Sequence, residues 1–403
     1  MSDLESRYVD LHRNPELSFE EHRTAGIGAD ALRAAGCEVT TGIGRTGVAG
    51  VLRNGAGPTV LLRADMDALP VREETGLSYA STRVATNSQG IEVPVAHACG
   101  HDMHVTWLLG AAESLAARRD SWSGTILFVL QPAEEAGGGA RAMVEDGLFD
   151  RFGTPDVALG QHLAPMPAGH VLTRSGLAMS ASDTLHVRLF GRGGHGSRPE
   201  ATVDPVVLAA STVLRLQTVV SREIGATDAA VVTVGAMNAG AKENVIPDEA
   251  ELQLSIRSFA EPVREKVNEA VRRIVRAEST ASAAPREPEI TATASYPPTV
   301  NDEAATEALT ARFREEFGPD QVRDGPLITG SEDFGEFGRA AGVPSVFWFV
   351  GGIDPARFAA DGTLAPGPDV PSNHSAQFAP TLHPTIDTGV RTLVTAALSY
   401  LSN

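Results

Sequence analysis

The chain is short of cysteine, with only Cys37 and Cys99 in 403 residues, and this excludes a disulfide framework. No stretch approaches the roughly eighteen uninterrupted apolar residues of a membrane-spanning helix. The opening MSDLESRYVDLHRNPELS has early acidic residues and no apolar run of signal-peptide length, so a cytoplasmic location is expected. Positive charge is also scarce: 33 Lys and Arg against 51 Asp and Glu give a formal net charge of −18. That balance argues against a surface that tracks nucleic-acid phosphates or rests on an anionic membrane. Small substrates stay open, because a local basic pocket can sit on an acidic protein. There is no internal repeat, and the Ala/Ser/Pro-rich STASAAPREP reads as a loop rather than an interdomain linker. What is present, 42% hydrophobic and 21% charged residues, is the composition of a globular chain too long for one ordinary core, so two domains are expected.

Apolar periodicity predicts alternating helix and strand. Leu4, Tyr8 and Leu11 suit one face of a first helix, and EEHRTAGIGADALRAAG reads as a second, ended by Gly36. Cys37, just beyond it, reads as a small buried hydrophobe. The runs VAGVLR, PTVLLR, GTILFVLQ, DVALGQH and PSVFWFVGG, separated by helical patterns such as HVTWLLGAAESLAARRD, predict an α/β unit with a largely parallel central sheet. Between them the pattern changes. DTLHVRLFG alternates like a strand, DPVVLAASTVLRLQTVVSRE reads as a helix with Asp204 as N-cap and Pro205 in its first turn, AAVVTVGAM and EAELQLSIRSF look like paired strands, PVREKVNEAVRRIVRAEST is a helix, and PEITATASY a last strand. This β-α-β-β-α-β order predicts an inserted ferredoxin-like α+β domain over 181–295, with 1–180 and 296–403 forming the two parts of the other domain.

Three strands of the first domain end in chemistry: PTVLLR runs into Asp65 and Asp67, GTILFVL into Glu134 and Glu135, DVALG into His162. Open α/β sheets bind ligands at that rim. VAHACGHDMH adds three histidines and Cys99 within ten residues. Cys99 and His101, two apart, can point the same way, and thiolate with imidazole suits zinc and similar ions. Of the adjacent carboxylates in QPAEE, one can bind metal while its neighbour stays free as a base. His162, and His374 in PSNHSAQF, can complete the shell. Two glycine patterns are weighed against this. GIGRTG formally matches a dinucleotide fingerprint, but a strand-like VAGVLR follows where a helix N-terminus is needed, so a turn is expected. GRGGHGSRPE raises His195 on a tight loop, where it either touches a ligand or merely makes the turn.

Together, HACGHD, RADMDALP, QPAEE, GQH, GRGGHGS, ENVIPDEA, GSEDF and NHS stand in the order seen in the amidohydrolases of the aminoacylase and carboxypeptidase G superfamily of metallopeptidases. Within it the chain resembles the branch of hippurate hydrolases, N-acyl-amino-acid amidohydrolases and indole-acetyl-amino-acid hydrolases, from HRNPELSFEE to NHSAQF. The resemblance implies a di-metal, aminopeptidase-like catalytic domain split by an inserted lid or dimerisation domain, and a homodimer. Motif by motif it implies that Cys99 bridges two divalent ions (zinc, manganese or cobalt) with His101, Glu135, His162 and His374 as the other ligands. It gives Glu134 the role of general base and then acid, His195 that of a donor to the oxyanion, in its own site or a second subunit's, and Asn244 and Arg257 the substrate carboxylate. Asp65 and Asp67 are expected to support the site rather than ligate. The reaction implied is hydrolysis of N-acyl amino acids to a carboxylic acid and a free amino acid.

Two other classes stay open at this point. In a cysteine amidase Cys99 would be the nucleophile and a chelator would leave activity intact. A binding module with purely structural metals would have no use for the spare acid beside Glu135. His12, His22, His170, His186 and His383 are assigned to structure.

Overall fold

The computed structural model describes residues 3–358 and 367–401. The chain divides into two compact units, one of Met1–Ala178, Val300–Leu327 and Asp333–Asn403, the other of Met179–Thr299 and Ile328–Glu332.

The first unit opens with α1 (Asp3–Arg13) and α2 (His22–Ala34), then β1 (Glu38–Ile43), β2 (Gly47–Asn54), β3 (Thr59–Asp65), α3 (His101–Ala116), β4 (Gly124–Gln131), β5 (Val157–Pro167) and β6 (Val171–Thr173). The second unit contains β7 (Ala181–Phe190), β8 (Gly194–His195), α4 (Pro205–Thr218), β9 (Ala230–Ala239), β10 (Val245–Ile246), β11 (Glu249–Ser258), α5 (Glu261–Ala281) and β12 (Glu289–Tyr296). The chain then returns through α6 (Glu303–Phe317), β13 (Val322–Asp324), β14 (Ser345–Ile353) and α7 (Thr385–Leu401).

The large sheet runs β1-β2-β4-β3-β5-β14-β6-β13. Its middle, β4, β3, β5 and β14, is parallel, as the apolar runs predict. The VAGVLR strand differs: β2 pairs antiparallel with both β1 and β4. For the β1–β2 pair the reason is local, since the short turn through GIGRTG can join only antiparallel neighbours, a parallel pair requiring a crossover. β3 lies between β4 and β5 and is buried along almost its whole length, so Asp65 emerges where strand order reverses. α3 packs against the sheet, α1 and α7 and is buried nearly all round, from His101 to Ala112. Gly389 lets α7 come this close, because a Cβ there would meet the Trp107 indole at 2.1 Å. Each large apolar side chain so buried contributes about 1.5–3 kcal/mol.

In the second unit the strand order is β9-β11-β7-β12 with antiparallel neighbours, the ferredoxin-like arrangement of a β-α-β-β-α-β chain. One face carries Leu185, Val187, Leu252, Leu254 and Ile256 into a core with Leu208, Leu216, Val271 and Ile274 of the two helices. Asp204 caps α4 by accepting from the Val206 N–H.

Candidate functional site

Cys99, Gly100 and His101 form the entry to α3. Gly100 has φ 89°, and a Cβ there would lie 2.5 Å from Leu163, so glycine serves both the left-handed turn and the close approach to β5. Cys99 Sγ lies 3.5 Å from His162 Nε2. Cys99, Glu135 and His374 offer donor atoms all within 4.8 Å of one another, and so do His101, Glu134 and Glu135. Glu135 Oε1 is 3.2 Å from His374 Nε2 and 3.9 Å from His101 Nε2. The five ligand candidates and Glu134 are thus gathered at one rim, with Cys99 between His162 on one side and Glu135 and His374 on the other.

Two of the imidazoles are oriented through their Nδ1 atoms. His101 Nδ1 pairs with Asp67 Oδ1 at 3.2 Å, leaving Nε2 buried without a hydrogen-bond partner. His162 Nδ1 donates to the Leu163 carbonyl at 2.7 Å, so its Nε2 lone pair faces Cys99. Glu135 Oε1 is likewise buried and lacks a hydrogen bond. Two orphaned atoms, an imidazole nitrogen and a carboxylate oxygen, beside a thiol and further imidazoles fit divalent cations of borderline softness.

His104 lies in the same cluster but does not fit a ligand. Its Nδ1 meets Asp65 Oδ1 at 2.5 Å and its Nε2 accepts from the Leu163 N–H at 2.8 Å, so neither nitrogen is left over. Asp65 is tied to His104 and to Arg63, 2.8 Å away. Burial alone would raise its pKa, but Arg63, His101 and His104 outweigh it and hold the carboxyl well below the usual range. Asp67 accepts from the amides of Glu134 (3.1 Å) and Glu135 (3.0 Å) and from the Ser18 hydroxyl (2.6 Å). Both aspartates therefore orient the site.

Electrostatics separate two roles for the thiol. Burial, reinforced by Glu135, raises the pKa of Cys99, against the neighbouring His101 and His374, which lower it. A nucleophilic cysteine needs the opposite shift, whereas a bound cation deprotonates a thiol whatever its resting pKa. Burial and the neighbouring His104 push His162 well below its ordinary value, which keeps it neutral. Cys37 is buried as expected, its thiol pushed up to about 11 by that burial.

Asn373 stands in the NHS motif, but the sequence does not show what it holds. Asn373 Nδ2 reaches the Cys99 and Leu163 carbonyls at 3.2 Å each, and the His374 N–H donates to the Ala98 carbonyl at 2.7 Å. This stitches the His374 loop to the cysteine loop across a separation of more than two hundred residues. His374 itself has φ 70°. A non-glycine residue held there is strained, and such strain concentrates at functional positions.

In the second unit His195 and Asn244 are brought together and Arg257 is not. β8 pairs with β10, His195 opposite Val245, and the Gly196 N–H donates to the Asn244 carbonyl at 2.9 Å. His195 is exposed, its Nδ1 held by the Ser197 hydroxyl at 2.7 Å. Arg257 is near the opposite end of β11, opposite Ser182 and Val231, with Nη1 donating to the Thr329 carbonyl at 2.7 Å. From Glu249 to Arg257 is about 26 Å of strand, at ~3.3 Å per residue. Sequence spacing hides this, because Asn244 and Arg257 are only thirteen positions apart.

With this geometry in place, comparison with known proteins is informative. The family model described as peptidase family M20/M25/M40 matches residues 61–361. A hippurate hydrolase of Campylobacter jejuni is 40% identical over 81% of this chain and 82% of its own length. An N-acetyl-L-cysteine deacetylase of Bacillus subtilis is 36% identical over 87% and 82%. Among solved structures, the Bacillus subtilis YXEP protein, described as a dinuclear metal binding peptidase, superposes with a TM-score of 0.74 at 27% identity, covering 98% of this chain and 96% of that one.

Proposed function

Because the chain belongs to peptidase family M20/M25/M40, we propose that it is a metal-dependent amidohydrolase that splits N-acyl amino acids into a carboxylic acid and a free amino acid. The observation that carries this reading is the pair of buried, unbonded donors, His101 Nε2 and Glu135 Oε1, beside a thiol and two further imidazoles. In this assignment Cys99, shared between the two ions, and His101, Glu135, His162 and His374 would hold a pair of divalent cations; zinc, manganese and cobalt all suit the set. When bound, two divalent ions supply a water of lowered pKa and polarise the scissile carbonyl.

The chain's own groups do the rest. Glu134, buried and backbone-bonded to Asp67, takes the proton of the attacking water and returns it to the leaving nitrogen. His195 donates to the oxyanion. Asn244 and Arg257 hold the free carboxylate of the substrate, a planar guanidinium suiting that task.

The length of β11 bears on how these residues combine. An N-acyl amino acid is far shorter than the strand between Arg257 and the His195–Asn244 ribbon, which supports His195 and Asn244 acting in a second subunit's site. A homodimer is part of the proposal for the same reason. Its supporting surface is the edge strand β9, where Val231 is 50% exposed, with Val207 (64%) and Leu214 (73%) of α4. Exposed edges and apolar side chains of this kind ask for cover. Residues 181–295 then serve as the lid and dimerisation domain, inserted between the catalytic parts 1–180 and 296–403. Among the described residues no helix is long and apolar enough to cross a membrane, and a cytoplasmic location, where a thiol such as Cys99 stays reduced, belongs to the same reading.

The decisive experiment is chelation and reconstitution. Hippurate turnover should vanish on removal of metal and return when zinc, manganese or cobalt is restored, with about two ions per chain at saturation. Activity that survives chelation would return Cys99 to the role of nucleophile.

A further inference from the structure

The turn carrying the two glutamates is fixed through its own amides. Ala133 has φ 48°, a left-handed conformation that an alanine adopts only under constraint. The Ala133 N–H donates to Glu21 Oε1 at 2.8 Å, the Glu134 N–H to Asp67 Oδ1 at 3.1 Å and the Glu135 N–H to Asp67 Oδ2 at 3.0 Å. Three successive amides therefore converge on two buried carboxylates. On the other side of the turn the Gly137 N–H donates to the Glu134 carbonyl and the Gly139 N–H to the Ala133 carbonyl.

Asp67 pairs with His101 and so belongs to the surroundings of the ligands. Glu21 is different. It comes from the segment before α2, it is fully buried, and the bonds it accepts come from no ligand candidate. Its Oε1 also accepts from the Phe19 N–H at 2.8 Å, and its Oε2 from the Thr46 hydroxyl. Burial, with Asp67 nearby, pushes its carboxyl up to about 7. A buried carboxyl costs stability unless its bonds serve something, and the bond that reaches the site is the one to Ala133.

We infer that Glu21 is a positioning residue for Glu134: by holding the Ala133 amide it fixes the left-handed turn that sends Glu134 to the water, while Asp67 keeps its own hold on the Glu135 amide. This rests on the reading of Glu134 as the general base. Without the bond the turn can relax toward ordinary right-handed geometry, which would move the Glu134 carboxylate while leaving the ligands on α3, β5 and the His374 loop in place.

The test uses the metal-reconstituted enzyme with hippurate as probe, comparing Glu21→Gln, Glu21→Asp and Glu21→Ala. Gln keeps an oxygen where Oε1 stands, and the Thr46 hydroxyl can turn to accept from its amide, so kcat should stay within about threefold of wild type. Asp is too short and Ala has no acceptor. Both should lower kcat about 10- to 100-fold, the scale of a misplacement near 1 Å, with KM and metal content near normal and faster hydrogen exchange at the amides of residues 133–135. Loss of activity in proportion to metal, equal loss in Gln and Ala, or an unchanged kcat in Ala would overturn the inference. Should Ala fail to fold, the Asp and Gln variants decide, and an active Asp with an inactive Gln overturns it. Glu134→Gln measured alongside separates the two levels: if it retains turnover, the reading of the base fails. If it is inactive while Glu21→Ala is not, only the positioning role fails.

Discussion

In the catalytic unit Arg63 lies within the central strand with no exposed side-chain surface, bonded to Gln131 at 2.7 Å, Asp65 at 2.8 Å and Asp333 at 3.3 Å. In the inserted unit Arg188 lies on the open face of its sheet, 35% exposed, between Glu249 and Glu289 at 2.6 and 2.7 Å. The exposed pairs are the shorter ones, but length does not decide what they do. An exposed pair is screened by water and decides little. A buried one cannot lose a partner without stranding a charge, so it fixes geometry. The first unit uses such fixed charges directly behind its ligand candidates: Arg63 holds Asp65, Asp65 holds His104, and His104 holds the amide beside His162. The inserted unit leaves its candidate residues His195 and Asn244 exposed, on and beside a two-stranded ribbon.

The sharpest way to break this contrast lies inside the fixed region. Glu134 and Glu135 are neighbours on one turn, yet they should fail differently. Glu134→Gln should lower kcat by roughly two to four orders of magnitude with metal retained. Glu135→Gln should lose metal affinity and recover in part when excess metal is added. A Glu134→Gln enzyme without metal beside a loaded, inactive Glu135→Gln would reverse the assignment.

Arg63→Met tests the buried charges themselves. It leaves Asp65 and Asp333 without the guanidinium and should destabilise the unit by about 3–5 kcal/mol, with reduced metal retention because Asp65 no longer steadies His104. Arg188→Met in the other unit should leave Tm almost unchanged. Thermal unfolding of the two variants side by side checks this, and equal losses would remove the distinction between the sheets.

His195 tests the exposed region. His195→Ala should lower kcat by about 10²–10³ while metal content stays normal, the usual worth of a single oxyanion donor. If the residue acts in trans, mixing it with inactive Glu134→Gln protein should restore part of the activity through mixed dimers, in which one site has an intact Glu134 and an intact His195. Absence of recovery, with subunit exchange demonstrated, would place His195 in its own chain's site.

How much of this is legible beforehand follows from distance along the chain. The ferredoxin-like unit can be read from alternation, and Cys99, His101, Glu135 and His162 can be picked out because each stands at a strand end or helix entry within a short motif. The antiparallel direction of β2 escapes such reading because a fully buried run looks alike either way. Glu21, Asn373 and the Arg63–Asp333 pair lie between 112 and 274 residues from the groups they hold, so the motifs that contain them do not show what they hold. The gap between Arg257 and His195 requires the register of β11. His12, assigned to structure on sequence grounds, is the centre of a buried charge cluster.

That histidine gives the finest test of buried against exposed pairing. His12 Nδ1 lies 2.6 Å from Asp102 and Nε2 3.0 Å from Glu73, whereas His186 in the inserted unit is 3.5 Å from Glu251 with both side chains about one-third exposed. Burial opposes the charged form of His12, but its bonds to Asp102 and Glu73 outweigh it and raise the pKa from 6.5 to about 10. A raised histidine contributes stability that is fully present below its unfolded value and is lost as pH rises through its folded one. The difference in unfolding free energy between wild type and His12→Gln should therefore be largest below pH 6.5 and shrink steadily toward pH 10, by an amount on the order of a few kcal/mol. Urea unfolding with chelator throughout keeps metal binding out of the comparison. If the His12 difference is flat across that window, the ring is neutral when folded and Asp102 and Glu73 are held by hydrogen bonds alone. The first turn of α3, which carries His101, would then be tied to α1 without an ion pair.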